Sequence, residues 1–342
     1  MEIIPAELRA KTESNAAAQK FALWRWIRGV RGTVVAALDA CGAFEWVALS
    51  YLGFSGLLMI VFRRNLPRAG RLLEIHGSMM ALILALVFAA RRSVTARWGS
   101  GPLERTLRVV RDWYPQAVFL FCFEELGALE QMIRHSWSDP WMLSFDRWLT
   151  GVNPTLWLQQ HVSPVVTDFM QMSYLSYFFF LTVLGLVLYI WGADETRHDP
   201  QKRYAFWALM TSSMAGYVIG YMISLLVPVE SPHYFLAAWH VAPLNGGPFT
   251  WLSDLIEHYG RVHGGAFPSE HVVGSFIALL GAWRFRRRLF WIFLPFFACM
   301  CVSTIYVRNH YIADVLAGIV VGWIGFSLGN VLMQLPHACP ES

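Results

Sequence analysis

The sequence predicts an all-α protein, a polytopic bundle of membrane helices, and three observations support that prediction. Hydrophobic residues make up 56% of the 342 residues and charged residues only 15%, with a mean hydropathy of +0.42. Soluble domains carry about 25% charged residues, so this composition indicates an integral membrane protein. The apolar residues also gather in runs of about 20, the length at which a helix crosses a bilayer. None of these runs alternates with the period of two that is typical of a strand.

Eight runs are candidate membrane spans, and the first two of them precede a six-helix core. They cover roughly residues 43–62, 72–90, 114–133, 165–191, 204–227, 271–283, 289–307 and 311–334. The run 271–283 is short, and we expect the preceding loop or the stems of the arginines after it to complete the span. We therefore expect residues 1–110 to hold about two extra helices, residues 111–334 to form the core and residues 335–342 to be a tail.

The distribution of lysine and arginine predicts the orientation in the membrane. The segments 1–33, 91–111, 192–203 and 284–288 are basic and fall on one side, which should be the cytoplasmic side. The loop 63–71 is also basic but falls on the other side, so it disagrees with this topology. The net charge of +4 comes mostly from arginines between the spans, so membrane lipids are the expected partners and nucleic acid is not.

The segment 134–164 is not a clean span. It is rich in tryptophan but also carries Asp139, Asp146 and Arg147. Amphipathic stretches of this kind commonly lie in the plane of the membrane interface. We expect an interfacial helix here, on the non-cytoplasmic side.

Two polar clusters stand at the ends of apolar runs near the C-terminus. One is the stretch Pro268 to His271, and the other comprises Arg308, Asn309 and His310 together with Asp314. Because the basic segment 284–288 separates the two runs, both clusters should meet on the opposite, extracytoplasmic face. Polar groups are costly near lipid, so their convergence predicts a functional site.

The residue types in these clusters suit phosphoryl transfer. His310 and Asp314 are four positions apart and share a helix face, so the carboxylate can orient one imidazole nitrogen and leave the other as a nucleophile or base. Ser269 and His271 fall at a helix N-terminus, whose free N–H groups suit a phosphate. Arg308 supplies a forked donor for phosphate oxygens.

Other readings of the polar residues deserve comparison. A single membrane histidine is more often a structural contact than a catalyst. The loop before Ser269 also holds further histidines, but no pair has the spacing of a His-Glu-x-x-His zinc motif, so we expect no metal and no cofactor. The histidines of that loop are His233, His240, His258 and His263.

The glutamates of the third run, Glu124, Glu125 and Glu130, are expected to face the bundle interior. The tyrosines of the fourth run, Tyr174 and Tyr177, are expected to serve packing.

The clusters resemble two motifs of the type 2 phosphatidic acid phosphatase and vanadium haloperoxidase superfamily. Pro268, Ser269 and His271 match its Pro-Ser-x-His motif, and His310 with Asp314 matches the end of its third motif. The resemblance implies a phosphatase-like six-helix core in which His310 becomes phosphohistidine and Asp314 orients it. It also implies that His271 is the acid for the leaving group, that Ser269 binds phosphate, and that no metal is needed.

Two departures from this pattern point to one branch of the superfamily. Thr304 stands where the third motif normally has arginine, and the lysine-containing first motif is absent. The stretch 308–311 and the lead-in 265–269 are instead similar to the inositol phosphorylceramide synthases, the inositolphosphotransferase branch. With the usual cations altered, Arg308, Gly265, His263 and Arg261 are the candidate substrate-binding residues beside Ser269.

The sequence thus predicts a multi-pass enzyme of the cytoplasmic membrane with its active site on the extracytoplasmic face. It would take a phospho-headgroup or phosphoryl group from a phospholipid or polyprenyl phosphate and pass it to an alcohol or water. A phosphatidic acid or polyprenyl diphosphate phosphatase is the alternative. A lipid-binding protein without catalysis, or a transporter, is the rival from another class, but no internal symmetry supports a carrier.

Overall fold

The structure is a computed structural model that describes residues 32, 38–95, 102–192, 200–260 and 262–335. The regular structure of these residues is helical, without a β-strand. The α-helices are α1 (Ala43–Val61), α2 (Ala69–Thr95), α3 (Pro102–Leu129), α4 (Asp139–Thr150), α5 (Pro154–Leu158), α6 (Pro164–Leu175), α7 (Tyr177–Gly192), α8 (Pro200–Leu226), α9 (Pro232–Phe235), α10 (Pro248–Gly260), α11 (Glu270–Phe285), α12 (Arg287–Tyr306) and α13 (Ile312–Leu332). The predicted all-α class is confirmed.

Six helical stretches in the described part of the chain are long and apolar enough to cross a membrane. They are Ala43–Val61, Ala69–Ala89, Pro164–Ile190, Arg203–Leu226, Arg287–Tyr306 and Ile312–Leu332. The protein is therefore an integral, multi-pass membrane protein. The predicted spans 114–133 and 271–283 fall mainly in α3 and α11, which do not meet that standard: α11 has only 16 residues, and α3 carries Glu124 and Glu125.

The chain divides into two compact units. One comprises the described parts of Met1–Cys41 and Ser78–Asp112, and the other comprises Gly42–Gly77 and the described parts of Trp113–Ser342. The first unit contains the C-terminal part of α2 and the start of α3. The second contains every described residue that the sequence singled out as a site candidate.

The centre of the second unit is formed by α8, α11 and α13, which pack against one another. Small residues make this approach possible. A Cβ on Gly325 would collide with the backbone of Gly216, and a Cβ on Gly329 would collide with Ser212. Close backbone approach through small residues is a common way to join membrane helices, where packing rather than the hydrophobic effect drives association.

The segment predicted to be interfacial contains α4 and α5. Its two aspartates, Asp139 and Asp146, are fully buried, whereas Trp141 is 81% exposed and Trp148 is 77% exposed. Helix α4 is therefore amphipathic, with an acidic inner face and an aromatic outer face. The predicted single span 165–191 is formed by α6 and α7, which meet at Ser176.

Candidate active site

The two polar clusters meet in the structure. Nδ1 of His271, in the first turn of α11, lies 3.1 Å from Nε2 of His310, which is two residues before α13. His310 is only 3% exposed. A hydrogen bond between the two imidazoles therefore joins the start of α11 to the turn between α12 and α13.

The other nitrogen of His310 is held by its own surroundings. Its Nδ1 lies 2.9 Å from the carbonyl oxygen of Ala266 and 3.4 Å from Oδ2 of Asp314. The same Oδ2 accepts a hydrogen bond of 2.8 Å from the backbone N–H of Tyr311. Since a carbonyl oxygen can only accept, Nδ1 of His310 carries the proton and Nε2 has the free electron pair.

The backbone of His310 is anchored by Thr304, the residue at the position where the third motif normally has arginine. The carbonyl oxygen of Thr304 accepts hydrogen bonds from the backbone N–H groups of Asn309 and His310, both at 3.1 Å. The hydroxyl of Thr304 donates to the carbonyl oxygen of Cys301 at 2.8 Å. Thr304 is fully buried, so this position closes the end of α12.

His271 has a partner that the sequence did not reveal. Its Nε2 lies 3.0 Å from the hydroxyl of Tyr174, and the ring of Tyr177 meets the imidazole edge-on at 4.4 Å between centroids. With the Tyr174 hydroxyl donating to Nε2, the Nδ1–H of His271 can donate to Nε2 of His310. Tyr174 therefore does more than the packing expected for it, because its hydroxyl also binds His271. A largely buried tyrosine needs a hydrogen-bond partner for its hydroxyl, and that need was the signal from which this contact could have been predicted.

Ser269 precedes α11 and lies beside Asp314. Its backbone N–H donates to the carbonyl oxygen of Asp314 at 3.0 Å, and its carbonyl oxygen accepts the first helical hydrogen bonds of α11. The hydroxyl of Ser269 is buried and has no hydrogen-bond partner among the described residues. Ser269 thus joins the starts of α11 and α13.

A cavity of about 90 Å³ opens onto the two histidines. Its walls combine aromatic rings, hydroxyl and carboxyl groups, and the backbone of a glycine-containing loop. The lining residues include Phe123, Tyr174, Tyr177, Tyr234, Glu257, Gly265, Glu270, His271, Asn309 and His310.

The loop that supplies the Ala266 carbonyl is shaped by two glycines and a buried glutamate. Gly264 has φ +97° and Gly265 has φ +70°, a region that side-chain-bearing residues rarely adopt. The carboxylate of Glu130, just after α3, accepts hydrogen bonds from the backbone N–H groups of Val229, at 3.1 Å, and Gly265. A Cβ on Gly264 would collide with this carboxylate. Glu130 therefore has the interior position expected for it and holds the loop beside His310. Glu125 is buried as well, whereas Glu124 is exposed, so the interior position expected for Glu124 is wrong.

Two aspartates of α4 fix the start of α13. Asp146 accepts hydrogen bonds from the backbone N–H groups of Ile312, at 3.0 Å, and Ala313, at 3.1 Å. Asp139 accepts one of 2.9 Å from the hydroxyl of Tyr311 and one of 3.1 Å from the backbone N–H of Ser231. Burial raises the pKa of both carboxyl groups, and these hydrogen bonds lower it only in part. The sequence indicated the two aspartates only as polar members of an amphipathic segment.

The remaining predicted substrate-binding residues lie in different surroundings. Gly265 lines the cavity, and Arg261 lies outside the described residues. His263 stacks between Trp137 and Tyr234 and lies 2.7 Å from a carboxylate oxygen of Glu230. None of these contacts by itself assigns a ligand.

Arg308 is bound to the protein backbone. Its Nη2 donates a hydrogen bond of 2.5 Å to the carbonyl oxygen of Ala242, and its backbone has φ +69°. Partial burial lowers the pKa of Arg308. Burial, with an added contribution from Arg308, also lowers the pKa of His240 to about 4. The guanidinium is therefore half-buried, next to a neutral imidazole.

Within the described residues, no three side chains of His, Cys, Asp or Glu are grouped so that they could hold a metal ion.

Comparison with known proteins identifies a family for this chain. The family model described as the PAP2 superfamily matches residues 140–328, more than half of the chain, which include both histidines of the pair. A PA-phosphatase related-family protein of Dictyostelium discoideum is 25% identical over 175 residues, which are 47% of this chain and 31% of that protein. The chain thus spans less than a third of that relative's length. No solved structure matches the chain at a significant level.

Proposed function

Because the chain belongs to the PAP2 superfamily, we propose that it is a membrane phosphotransferase or phosphatase that acts through a phosphohistidine at His310. The observation that carries this proposal is the arrangement of His310, with Nδ1 held 2.9 Å from the Ala266 carbonyl and Nε2 beside His271. An imidazole fixed in this tautomer is oriented as a nucleophile.

In the first half of the reaction, Nε2 of His310 attacks phosphorus and forms a P–N bond as the P–O bond to the leaving group breaks. The entering phosphoryl group displaces the hydrogen bond between the imidazoles. His271, when it carries protons on both nitrogens, gives the Nδ1 proton to the departing oxygen. The Tyr174 hydroxyl can accept from Nε2–H both in that imidazolium and in the neutral ring that keeps this proton afterwards, so it remains a partner in both protonation states.

In the second half, an alcohol or water attacks the phosphohistidine. His271 removes the proton of the incoming hydroxyl, the P–N bond breaks, and His310 recovers its electron pair. Hydrolase and transferase differ only in which hydroxyl enters. Ser269 and the N-terminus of α11 are the proposed ligands of the phosphoryl oxygens, since helix N-termini favour anions.

The proposed donor is a phospholipid or a polyprenyl phosphate, and the proposed site of action is the extracytoplasmic face of the cytoplasmic membrane. The inositolphosphotransferase-like stretch around His310 favours transfer of a phospho-headgroup to an alcohol. A phosphatidic acid phosphatase is the second candidate, and the printed name of the Dictyostelium relative favours it.

Product analysis with the purified protein tests the proposal. The protein is incubated with radiolabelled phosphatidic acid, phosphatidylinositol or polyprenyl diphosphate, and the reaction is quenched in alkali, in which phosphohistidine persists. We expect a labelled protein that is absent from His310→Asn, together with a released or transferred phospho-group. A wild-type protein that turns over none of these lipids and takes up no label would overturn the proposed function.

A further inference from the structure

A second cavity, of about 920 Å³, adjoins the glycine-containing loop that also borders the cavity of the two histidines. Val262, Gly264 and Gly265 line the histidine cavity, whereas His263, in the middle of the same loop, lines the second one. The volume of the second cavity falls within the roughly 300–1,000 Å³ of pockets that hold small-molecule ligands. It is therefore large enough for the head group of a lipid.

The walls of this second cavity carry accessible positive charge. Arg68 and Arg71 line it together with His135 and His263, and all four residues are exposed. The acidic residue among its described lining residues is Glu130, which is fully buried and whose carboxylate binds backbone N–H groups. Because guanidinium groups bind phosphate oxygens in pairs, the accessible charge of this cavity suits a phosphate group.

The arginines belong to the basic loop 63–71, whose position disagreed with the predicted topology. The side chain of Asn65 in this loop donates a hydrogen bond of 2.9 Å to the carbonyl oxygen of Met132, just after α3. This contact, and the cavity shared with His263, place the loop at the same end of the second unit as the candidate active site. Arginine is normally depleted on the extracytoplasmic side predicted for that end, and an anionic ligand accounts for its presence there.

Another part of the wall is apolar and belongs to a membrane helix. Leu72 and Ile75, in the first two turns of α2, line the cavity beside Arg68 and Arg71. Ile75 is 39% exposed, and the stretch Ala69–Ala89 is long and apolar enough to cross a membrane. A molecule in this cavity therefore has charged partners at the start of α2 and an apolar surface farther along it, an arrangement that suits a membrane lipid better than a free phosphate.

From these observations we infer that the second cavity binds the phosphate group of an anionic phospholipid, whose acyl chains lie along the start of α2. Arg68 and Arg71 are the ligands of the phosphate, and the imidazole of His135 adds a further donor. His263 lies 2.7 Å from a carboxylate oxygen of Glu230, so it bounds the cavity while its charge is already paired. The inference goes beyond the proposed function, because this lipid is bound outside the histidine cavity and need not be turned over.

A binding titration on the full-length protein in neutral detergent tests the inference. Short-chain phosphatidylglycerol, phosphatidylcholine with the same acyl chains, and glycerol 3-phosphate are titrated separately. The Kd of each is obtained from the shift in Tm, because a ligand that binds the folded state raises Tm. We expect phosphatidylglycerol to bind more tightly than either of the others by about tenfold or more, equivalent to about 1.4 kcal/mol.

Variants of the arginines locate the binding site. Arg68→Gly is the first, because glycine adopts the observed φ of +63° without strain, and Arg71→Gln, at an exposed position of α2, is the second. We expect each to raise the Kd of phosphatidylglycerol by about tenfold or more. Arg64→Gln is the control, because Arg64 is an exposed arginine of the same loop that does not line the cavity; its Kd should stay close to that of wild type.

Three results of these titrations would overturn the inference. Equal affinities of wild type for phosphatidylglycerol and phosphatidylcholine would show that the anionic charge is not recognised. Glycerol 3-phosphate that binds as tightly as phosphatidylglycerol would make a soluble phosphate the ligand. An equal loss in Arg64→Gln would assign the binding to the overall charge of the loop. The two wild-type comparisons decide even if a variant does not fold.

The His310→Asn variant separates this inference from the proposed function. It should bind phosphatidylglycerol with the Kd of wild type, because the second cavity is not lined by His310. Loss of binding in this variant would place the lipid in the histidine cavity and overturn the inference. Failure of the proposed function is recognised by a different measurement, a wild type that turns over no lipid and takes up no label.

Discussion

Nδ1 of His271 lies 3.1 Å from Nε2 of His310, although 39 positions separate the two residues in the sequence. This contact places a proton donor next to the only imidazole nitrogen of His310 that the protein backbone leaves free. Attack and proton transfer can then occur at one phosphorus once the entering phosphoryl group has displaced this hydrogen bond. The roles proposed for the two histidines differ, so their substitutions should have different consequences.

Replacing His310 with asparagine should abolish turnover and leave the fold intact. Asparagine can still donate a hydrogen bond in the buried space, but it has no imidazole nitrogen to attack phosphorus. Loss of a nucleophile from such a unit can cost about six orders of magnitude in rate. The measurement is lipid turnover with helix content by circular dichroism, and His258→Asn, at an exposed position of α10, is the control. Activity within about tenfold of wild type would rule out phosphohistidine at this residue.

Replacing His271 with alanine should slow substrates with poor leaving groups more than activated aryl phosphates. A general acid contributes roughly 10²–10⁴-fold, and only where the departing oxygen needs a proton. The ratio of kcat/KM for a lipid phosphate to that for an aryl phosphate is therefore the quantity to measure. If both substrates lose the same factor, His271 acts on binding or structure and not as the acid.

The sequence predicted the helical architecture and the proximity of His310 to Asp314 because both depend on local patterns. Apolar runs of membrane length specify helices, and the spacing of His310 and Asp314 places them on one side of a turn, where the structure has a contact of 3.4 Å. Helix geometry did not predict that the nearer partner of His310 Nδ1 is the Ala266 carbonyl, at 2.9 Å. That distance depends on how a loop 44 positions away packs.

The partners that come from distant elements could not be predicted for the same reason. Tyr174 meets His271 across 97 positions, and Asp139 meets Tyr311 across 172. Each contact depends on the tertiary packing of helices, which neither the composition nor the hydrophobic periodicity of the sequence specifies. The aromatic outer face of α4 could be predicted from the sequence. The function of its inner aspartates could not, because it depends on the packing of α13 against α4.

Substitution of Asp146 by alanine should reduce both stability and turnover. The carboxylate accepts hydrogen bonds from the backbone N–H groups of Ile312 and Ala313. These N–H groups lie in the first turn of α13, where the helix itself offers them no carbonyl partner. Loss of a helix cap costs about 0.5–2 kcal/mol, and the displaced helix start carries Asp314. We expect a lower Tm in detergent and a lower kcat, with Ser144→Ala on the exposed side of α4 as the control. An unchanged Tm would show that the hydrogen bonds of Asp146 to α13 contribute nothing to the stability of the fold.

The stability of the protein should depend on His240 at acidic pH. Its pKa is lowered from 6.5 to about 4, so the folded state binds a proton less readily than the unfolded state does. The stabilisation is present above pH 6.5 and is lost as the pH falls towards 4. Between these values the Tm of wild type should fall more steeply than that of His240→Gln, in which the titrating group is absent. Parallel Tm curves for the two proteins would contradict this prediction.

The last prediction concerns the only residue of the second cluster with a permanent positive charge, Arg308. Its Nη2 is engaged with the Ala242 carbonyl, which leaves further N–H groups of the guanidinium available to phosphoryl oxygens. We predict that Arg308→Lys loses most activity, because an ammonium cannot bind the backbone and two oxygens in the same geometry.

Arg308→Gly is the sharper variant, because glycine adopts the observed φ of +69° without strain. It removes the guanidinium and leaves the backbone free to keep its path, whereas Arg308→Ala would add strain to the loss of charge. Since donors aimed at developing charge are worth about 2.7–4 kcal/mol each, kcat should fall by roughly 10² or more in Arg308→Gly. Helix content and Tm report on the backbone contact separately. If the glycine variant lowers Tm but retains kcat, Arg308 stabilises the fold through its hydrogen bond to the Ala242 carbonyl oxygen. The positive charge that binds the phosphate would then come from another residue.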